Sequence, residues 1–116
     1  MTDSPVIVRH TSGDRPAEGE VRVASLQYGA TTDVARNLAK TLELIDVAAA
    51  EKADVAITVE FANHVSWYDD REQVHASAIK LDGEWVEKVG AKAKEHGMWI
   101  VLNGIVERGP DKVTGT

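Results

Sequence analysis

The chain has 116 residues and a formal net charge of −6, from 13 Lys and Arg against 19 Asp and Glu. That length holds one domain, and the acidic balance argues against binding a nucleic-acid backbone, which requires clustered cations. There is no cysteine, so disulfides, thiolate metal sites and a cysteine nucleophile within this chain are excluded.

Hydrophobic residues make up 43% and charged residues 28%, the balance of a soluble globular protein. No apolar run approaches the roughly 18 residues of a membrane span. The N-terminus has no basic flank leading into an apolar stretch, so the expected location is cytoplasmic. Residues 1–20 differ from the rest, with two of the three prolines (Pro5, Pro16) and the polar cluster Thr11-Ser12-Gly13-Asp14-Arg15. They read as an irregular extension in which Val6-Ile7-Val8 is a candidate short edge strand. Residues 21–116 read as one ordered unit.

Val21 to Gln27 carries β-branched residues with a partial period of two, which predicts a strand. Tyr28-Gly29-Ala30-Thr31 turns the chain, and Thr32 or Asp33 is placed to cap a helix. Val34, Leu38, Leu42, Ile45 and Ala49 recur at helical steps, so that helix should run to about Lys52. Val55-Ala56-Ile57-Thr58-Val59 suits a strand buried on both faces. Residues 61–80 are less regular, with room for a short helix over 71–78. Asp82 is the candidate cap of a second long helix carrying Trp85, Val89, Ala93 and His96, and Gly97 sits where a left-handed C-cap belongs. Met98 to Leu102 predicts another buried strand, continuing through Gly104 to Val106. Gly109-Pro110-Asp111-Lys112 is a turn signal, after which the chain is expected to stop as a hairpin partner begins. The order strand-helix-strand-helix-strand predicts an α/β fold with a parallel sheet. With only two helices and an unfinished hairpin, the chain reads as part of something larger.

Several enzyme signatures are missing. There is no Gly-rich dinucleotide turn after the first strand, no phosphate loop, no Gly-x-Ser-x-Gly elbow and no His-Glu-x-x-His. The four histidines are dispersed, so no metal site and no cofactor are expected. Glu60 directly follows a predicted strand, and in open α/β sheets ligands gather beyond the carboxyl ends of strands. A partly desolvated carboxylate there has a raised pKa and suits a general base. The plainer reading is a glutamate that leaves the sheet into solvent or pairs with a lysine. Phe61, Asn63, His64 and Trp67 follow at once as candidate lining of a small-molecule pocket, or as loop residues that pack on the core. Asn103-Gly104 breaks the last strand. Its glycine marks either a close backbone approach near Glu60 or simple packing.

These pieces together resemble the nitrilase, or carbon–nitrogen hydrolase, superfamily over 21–108. The resemblance rests on Val21 to Gln27, Asn37-Leu38, Ala53-Asp54 leading to Glu60, and Leu81-Asp82-Gly83. Lys94-Glu95-His96-Gly97 into Trp99-Ile100-Val101, and Asn103 to Arg108, complete it. It implies the N-terminal portion of a four-layer α-β-β-α sandwich. It also implies a Glu-Lys-Cys mechanism with Glu60 as the base that activates a thiol toward a nitrile or amide carbon, with a lysine supporting the charged intermediate. Two departures stand out. Val59 replaces the family's usual proline before the glutamate, and the lysine and cysteine positions fall beyond Thr116; Lys112, in the turn, does not substitute. The chain would then be an incomplete domain with one catalytic residue of three, inactive alone. A full-length form would be a homo-oligomer acting on a small molecule, away from membranes and nucleic acid. The alternative is a small non-catalytic α/β binding or interaction module that keeps the half-fold.

Overall fold

The structure, a computed structural model, describes residues 5–10 and 18–116. Strands β1 (Val23–Ser25), β2 (Val55–Ile57) and β3 (Trp99–Val101) form a parallel sheet in that order. Helix α1 (Val34–Ala50) links β1 to β2. A short helix α2 (Arg71–Ser77) and the longer α3 (Glu84–His96) link β2 to β3. The chain ends in an antiparallel hairpin of β4 (Ile105–Gly109) and β5 (Lys112–Gly115). The α/β class and the parallel sheet are as the sequence predicts. Two expectations at the C-terminal end are corrected. The stretch after β3 does not extend that strand: Asn103 and Gly104 turn it into a second sheet. The hairpin also has its partner strand, and mutual backbone bonds between Gly104 and Thr116 (2.8 Å each way) extend the pairing to the last residue.

Helix α1 begins where Asp33 accepts the Arg36 amide (3.0 Å), which satisfies an orphan donor of the first turn. It ends at Ala50, and Lys52 reverses the chain at φ +66°. Leu38, Leu44, Ile45 and Ala48 are buried against the sheet, each fully buried Leu or Ile contributing about 1.5–3 kcal/mol. The buried stripe also includes Asn37 and Thr41, which apolar spacing alone did not select. Helix α3 buries Trp85 and Val89 and stops at Gly97, whose φ of +61° places it in the left-handed region as anticipated. Its N-cap is Gly83 rather than Asp82, and no side chain caps it. Residues 6–8 form no strand.

The two long helices lie on the same face of the sheet and are tied to each other by charge. Asp46 of α1 accepts from Lys92 Nζ (2.9 Å) and from His96 Nε2 (2.8 Å) of α3. Partial burial by itself raises the Asp46 pKa, but the bonds from Lys92 and His96 outweigh it and hold the carboxyl below its ordinary value.

The register aligns Val23, Val55 and Trp99, then Ala24, Ala56 and Ile100, then Ser25, Ile57 and Val101. Side chains alternate across a sheet, so Ala24, Ala56 and Ile100 face the helices. The opposite face is bare: Val23 is 55% exposed, Ile57 39%, Trp99 80% and Val101 50%. This corrects the expectation of strands buried on both faces. The strands have the apolar composition of a sheet covered on both sides, yet only one side is covered by described residues.

Candidate active site

The carboxyl end of β2 continues through Thr58 and Val59 to Glu60. Thr58 is 4% exposed. Its amide bonds Val101 O (3.0 Å), while its hydroxyl accepts the Asn103 amide (2.9 Å) and donates to Val59 O (3.3 Å). Glu60 then leaves the sheet and is exposed. The partial desolvation expected of it is absent, because the chain turns away from the sheet at this residue and no described element covers it. Phe61, directly after, adopts φ +55°. For a bulky L-residue that is a strained conformation, costing on the order of 1–3 kcal/mol, and it persists only where neighbours enforce it. The amide of Phe61 donates to Asn103 Oδ1 (3.3 Å) and that of Ala62 to Asn103 O (3.1 Å).

The other candidates from the sequence fall in different settings. Asn63 is fully buried. Its amide nitrogen donates to Ser77 O (2.8 Å) and its oxygen accepts the Ile105 amide (3.1 Å). It thus joins the end of α2 to the start of β4. His64 is 1% exposed, with Nδ1 2.8 Å from Val65 O and its ring stacked on Tyr68 at 4.6 Å between centroids. The Tyr68 hydroxyl is buried without a hydrogen-bond partner among the described residues, and burial pushes its pKa up while the neighbouring Asn63 side chain pulls it down. Trp67 is 67% exposed. Glu60, Phe61, Asn63 and His64 therefore share one loop, but Asn63 and His64 face inward as supports and Trp67 faces solvent.

Asn37 holds the loop from beneath. Its Nδ2 donates to Thr31 O (2.8 Å) and Asn63 O (2.9 Å), and its Oδ1 accepts from the Thr31 amide (2.9 Å) and hydroxyl (3.0 Å). Every donor and acceptor of this buried amide is used, as burial demands. Beside it the Tyr28 hydroxyl donates to Ala62 O (2.7 Å) and lies 2.6 Å from Thr41 Oγ1. Burial pushes the Tyr28 pKa up, against the pull of Thr41. Spacing rules overlooked Asn37, Tyr28, Thr41 and Thr58 as site supports. The available signal was a polar residue on an otherwise apolar face, at Asn37 and Thr41.

Gly104 decides between its two readings. A Cβ there would lie 2.7 Å from Ile79 Cδ1 and 2.8 Å from Asn63 Oδ1. The close approach is real, and it seats Asn63 rather than a substrate.

Two further features lie away from Glu60. A cavity of about 750 Å³ runs between residues 5–10 and the β1 and α1 elements, lined among others by Val6, His10, Tyr28, Leu44 and Glu51, and no residue of 58–70 reaches it. Asp46, Glu95 and His96 bring potential metal-ligating atoms within 4.8 Å of one another, but Lys92 already balances the Asp46 charge there. At the sheet end itself the available chemistry is a carboxylate that can take up and return a proton. There is no cysteine among these 116 residues, so no thiol stands beside it.

Comparison with known proteins adds the context. The carbon–nitrogen hydrolase family profile matches residues 22–115. A relative described as the nitrilase and fragile histidine triad fusion protein NitFhit, from Drosophila melanogaster, is 29% identical over 106 residues. That match takes in 91% of this chain and 23% of the relative's length. Matched across most of its length, the chain belongs to the carbon–nitrogen hydrolase family.

Proposed function

We propose that this chain supplies the N-terminal portion of a carbon–nitrogen hydrolase acting on a small nitrile or amide, with Glu60 as general base. The observation that supports this most directly is the place of Glu60: an uncovered carboxylate at the carboxyl end of the central strand of a parallel sheet, on a strained and tightly held turn. In the complete site Glu60 takes the proton of a thiol supplied from outside this chain, and the thiolate adds to the nitrile or amide carbon. The proton then passes to the substrate nitrogen. An amide nitrogen leaves as amine, whereas a nitrile becomes a thioimidate that water converts to the thioester with loss of ammonia. Glu60 next takes a proton from the water that cleaves the thioester. Covering by the rest of the fold removes water from around Glu60 and leaves its carboxylate to face the thiol. The bare face bearing Val23, Ile57, Trp99 and Val101 takes the second sheet of a four-layer α-β-β-α sandwich, since a sheet with an apolar face buries it against another layer.

The test compares the 116-residue chain with a version extended after Thr116 by the lysine- and cysteine-bearing part of a family member. Ammonia release is assayed from nitriles and amides. The chain alone should show no turnover, the extended protein should turn over, and Glu60→Gln should lower kcat by about 10²–10⁴-fold, the usual contribution of a general base. Turnover by the 116-residue chain alone, or an extended Glu60→Gln protein with unchanged kcat, would sink the assignment.

A further inference from the structure

Glu60 sits in a ring of contacts whose other members are all committed. Thr58 bonds back to the sheet through Val101 O and forward to Asn103 through its hydroxyl. Asn103 then grips the next turn at two points, Phe61 N on its side-chain oxygen and Ala62 N on its main-chain oxygen. The ring therefore runs Thr58, Val59, Glu60, Phe61, Asn103 and back to Thr58. Within it, Phe61 is forced to φ +55°, a conformation that a free turn of this composition relaxes away from. The Glu60 carboxylate makes no hydrogen bond or ion pair among the described residues. Strain at Phe61 and clamp bonds to the Phe61 and Ala62 amides thus fall on the two residues directly after Glu60, whose own carboxylate makes no such contact. Strain of this kind is characteristically found where a group must be held in a set direction before its partner arrives.

Resting on the proposed hydrolase reading, we propose that Asn103, anchored on Thr58, is the positioning residue for Glu60: its side-chain amide oxygen holds the left-handed turn at Phe61 and so aims the Glu60 side chain along one direction. The neighbouring Asn63 clamp is separate. It ties Ser77 to Ile105 and does not touch the Glu60 turn.

The first experiment uses the isotope-labelled 116-residue chain in solution. In the wild type the Phe61 backbone couplings and carbon shifts report a left-handed residue, and the Glu60 backbone couplings report a single backbone conformation that fixes its Cα–Cβ direction. Asn103→Ala should abolish both signatures and speed Phe61 amide exchange about tenfold, the loss of one hydrogen bond. The Asn63 and Ile105 signals should stay in place as a check that the fold persists. Asn103→Asp keeps an acceptor oxygen at the same position and should restore the Phe61 and Glu60 signatures, which a merely space-filling role does not explain. A wild-type Glu60 whose backbone already averages over conformations, or an Asn103→Ala chain with Phe61 unchanged, overturns the proposal. In the extended protein, Asn103→Ala should lower kcat by about 10²-fold with KM nearly constant, the effect of a misplaced group. If Glu60→Gln is inactive and Asn103→Ala runs at full rate, positioning fails and the hydrolase reading stands. If Glu60→Gln is fully active, the hydrolase reading fails, and the couplings of the first experiment still decide what Asn103 does.

Discussion

Replacing Gly104 with alanine tests the packing beneath the candidate site. The new methyl would stand 2.7 Å from Ile79 Cδ1 and 2.8 Å from Asn63 Oδ1, against about 3.5–4.0 Å for relaxed carbon contacts. Ile79 is 1% exposed and Asn63 is fully buried, so neither has open space to retreat into. Overpacking of this kind costs about 1–3 kcal/mol. Displacing Asn63 Oδ1 also frees the Ile105 amide, now 3.1 Å away, and a stranded buried amide costs about 1–3 kcal/mol more. Gly104→Ala should therefore destabilise by about 2–6 kcal/mol, a large share of the ~5–15 kcal/mol that holds a small domain. The same substitution has the opposite sign elsewhere. Gly90, mid-helix in α3, has nothing within 4 Å of a built Cβ, so Gly90→Ala should stabilise by up to about 1 kcal/mol through helix propensity. Gly97→Ala, at φ +61°, should destabilise by about 1–2 kcal/mol from backbone strain alone. Urea unfolding followed by tryptophan fluorescence measures all three. A Gly104→Ala protein within about 0.5 kcal/mol of wild type, the range of featureless surface changes, would refute the packing described for this corner.

Asn37→Leu, close in volume, strands Thr31 and the Asn63 carbonyl and should cost about 2–4 kcal/mol in the same assay; a neutral effect would mean that water replaces the amide. Asp46 ionises more readily folded than unfolded, so its contribution is present above its unfolded pKa and is lost as pH falls through the lower folded value. Asp46→Asn should accordingly flatten the acid limb of stability measured from pH 7 downward, and equal limbs in the two proteins would count against the Lys92 and His96 tie. Trp99 is 80% exposed on the bare face, so Trp99→Ser should change stability by less than about 0.5 kcal/mol while reducing concentration-dependent light scattering. A large loss of stability, or scattering that does not change, would contradict the exposure of that face.

Much of the architecture was legible in local chemistry. The Asp33 cap, the spacing of Leu38 and Ile45, the β-branched run at Val55 and the left-handed Gly97 each act within a turn or two of chain, and pattern reading is suited to that range. The place of Glu60 at a strand end followed from the same logic. Other features depend on atoms far apart in sequence. Asn37 and Thr41 lie in the core because Thr31, Asn63 and Tyr28 come to meet them, and no periodicity of α1 alone reports that. The break at Asn103-Gly104 was visible, but its cause was not: Thr58 pulls Asn103 toward β2, and Gly104 must pass within reach of Ile79 and Asn63. Composition likewise made the strands look covered on both sides. Hydrophobicity records that a surface is to be buried, without recording by what. By itself, then, the sequence determined the class, the start of α1 and the left-handed end of α3, and singled out Glu60 as a candidate. Only the tertiary structure decided which polar groups hold the turn after Glu60 and which sheet face stands open, because those outcomes rest on long-range hydrogen bonds and layer packing that no local pattern encodes.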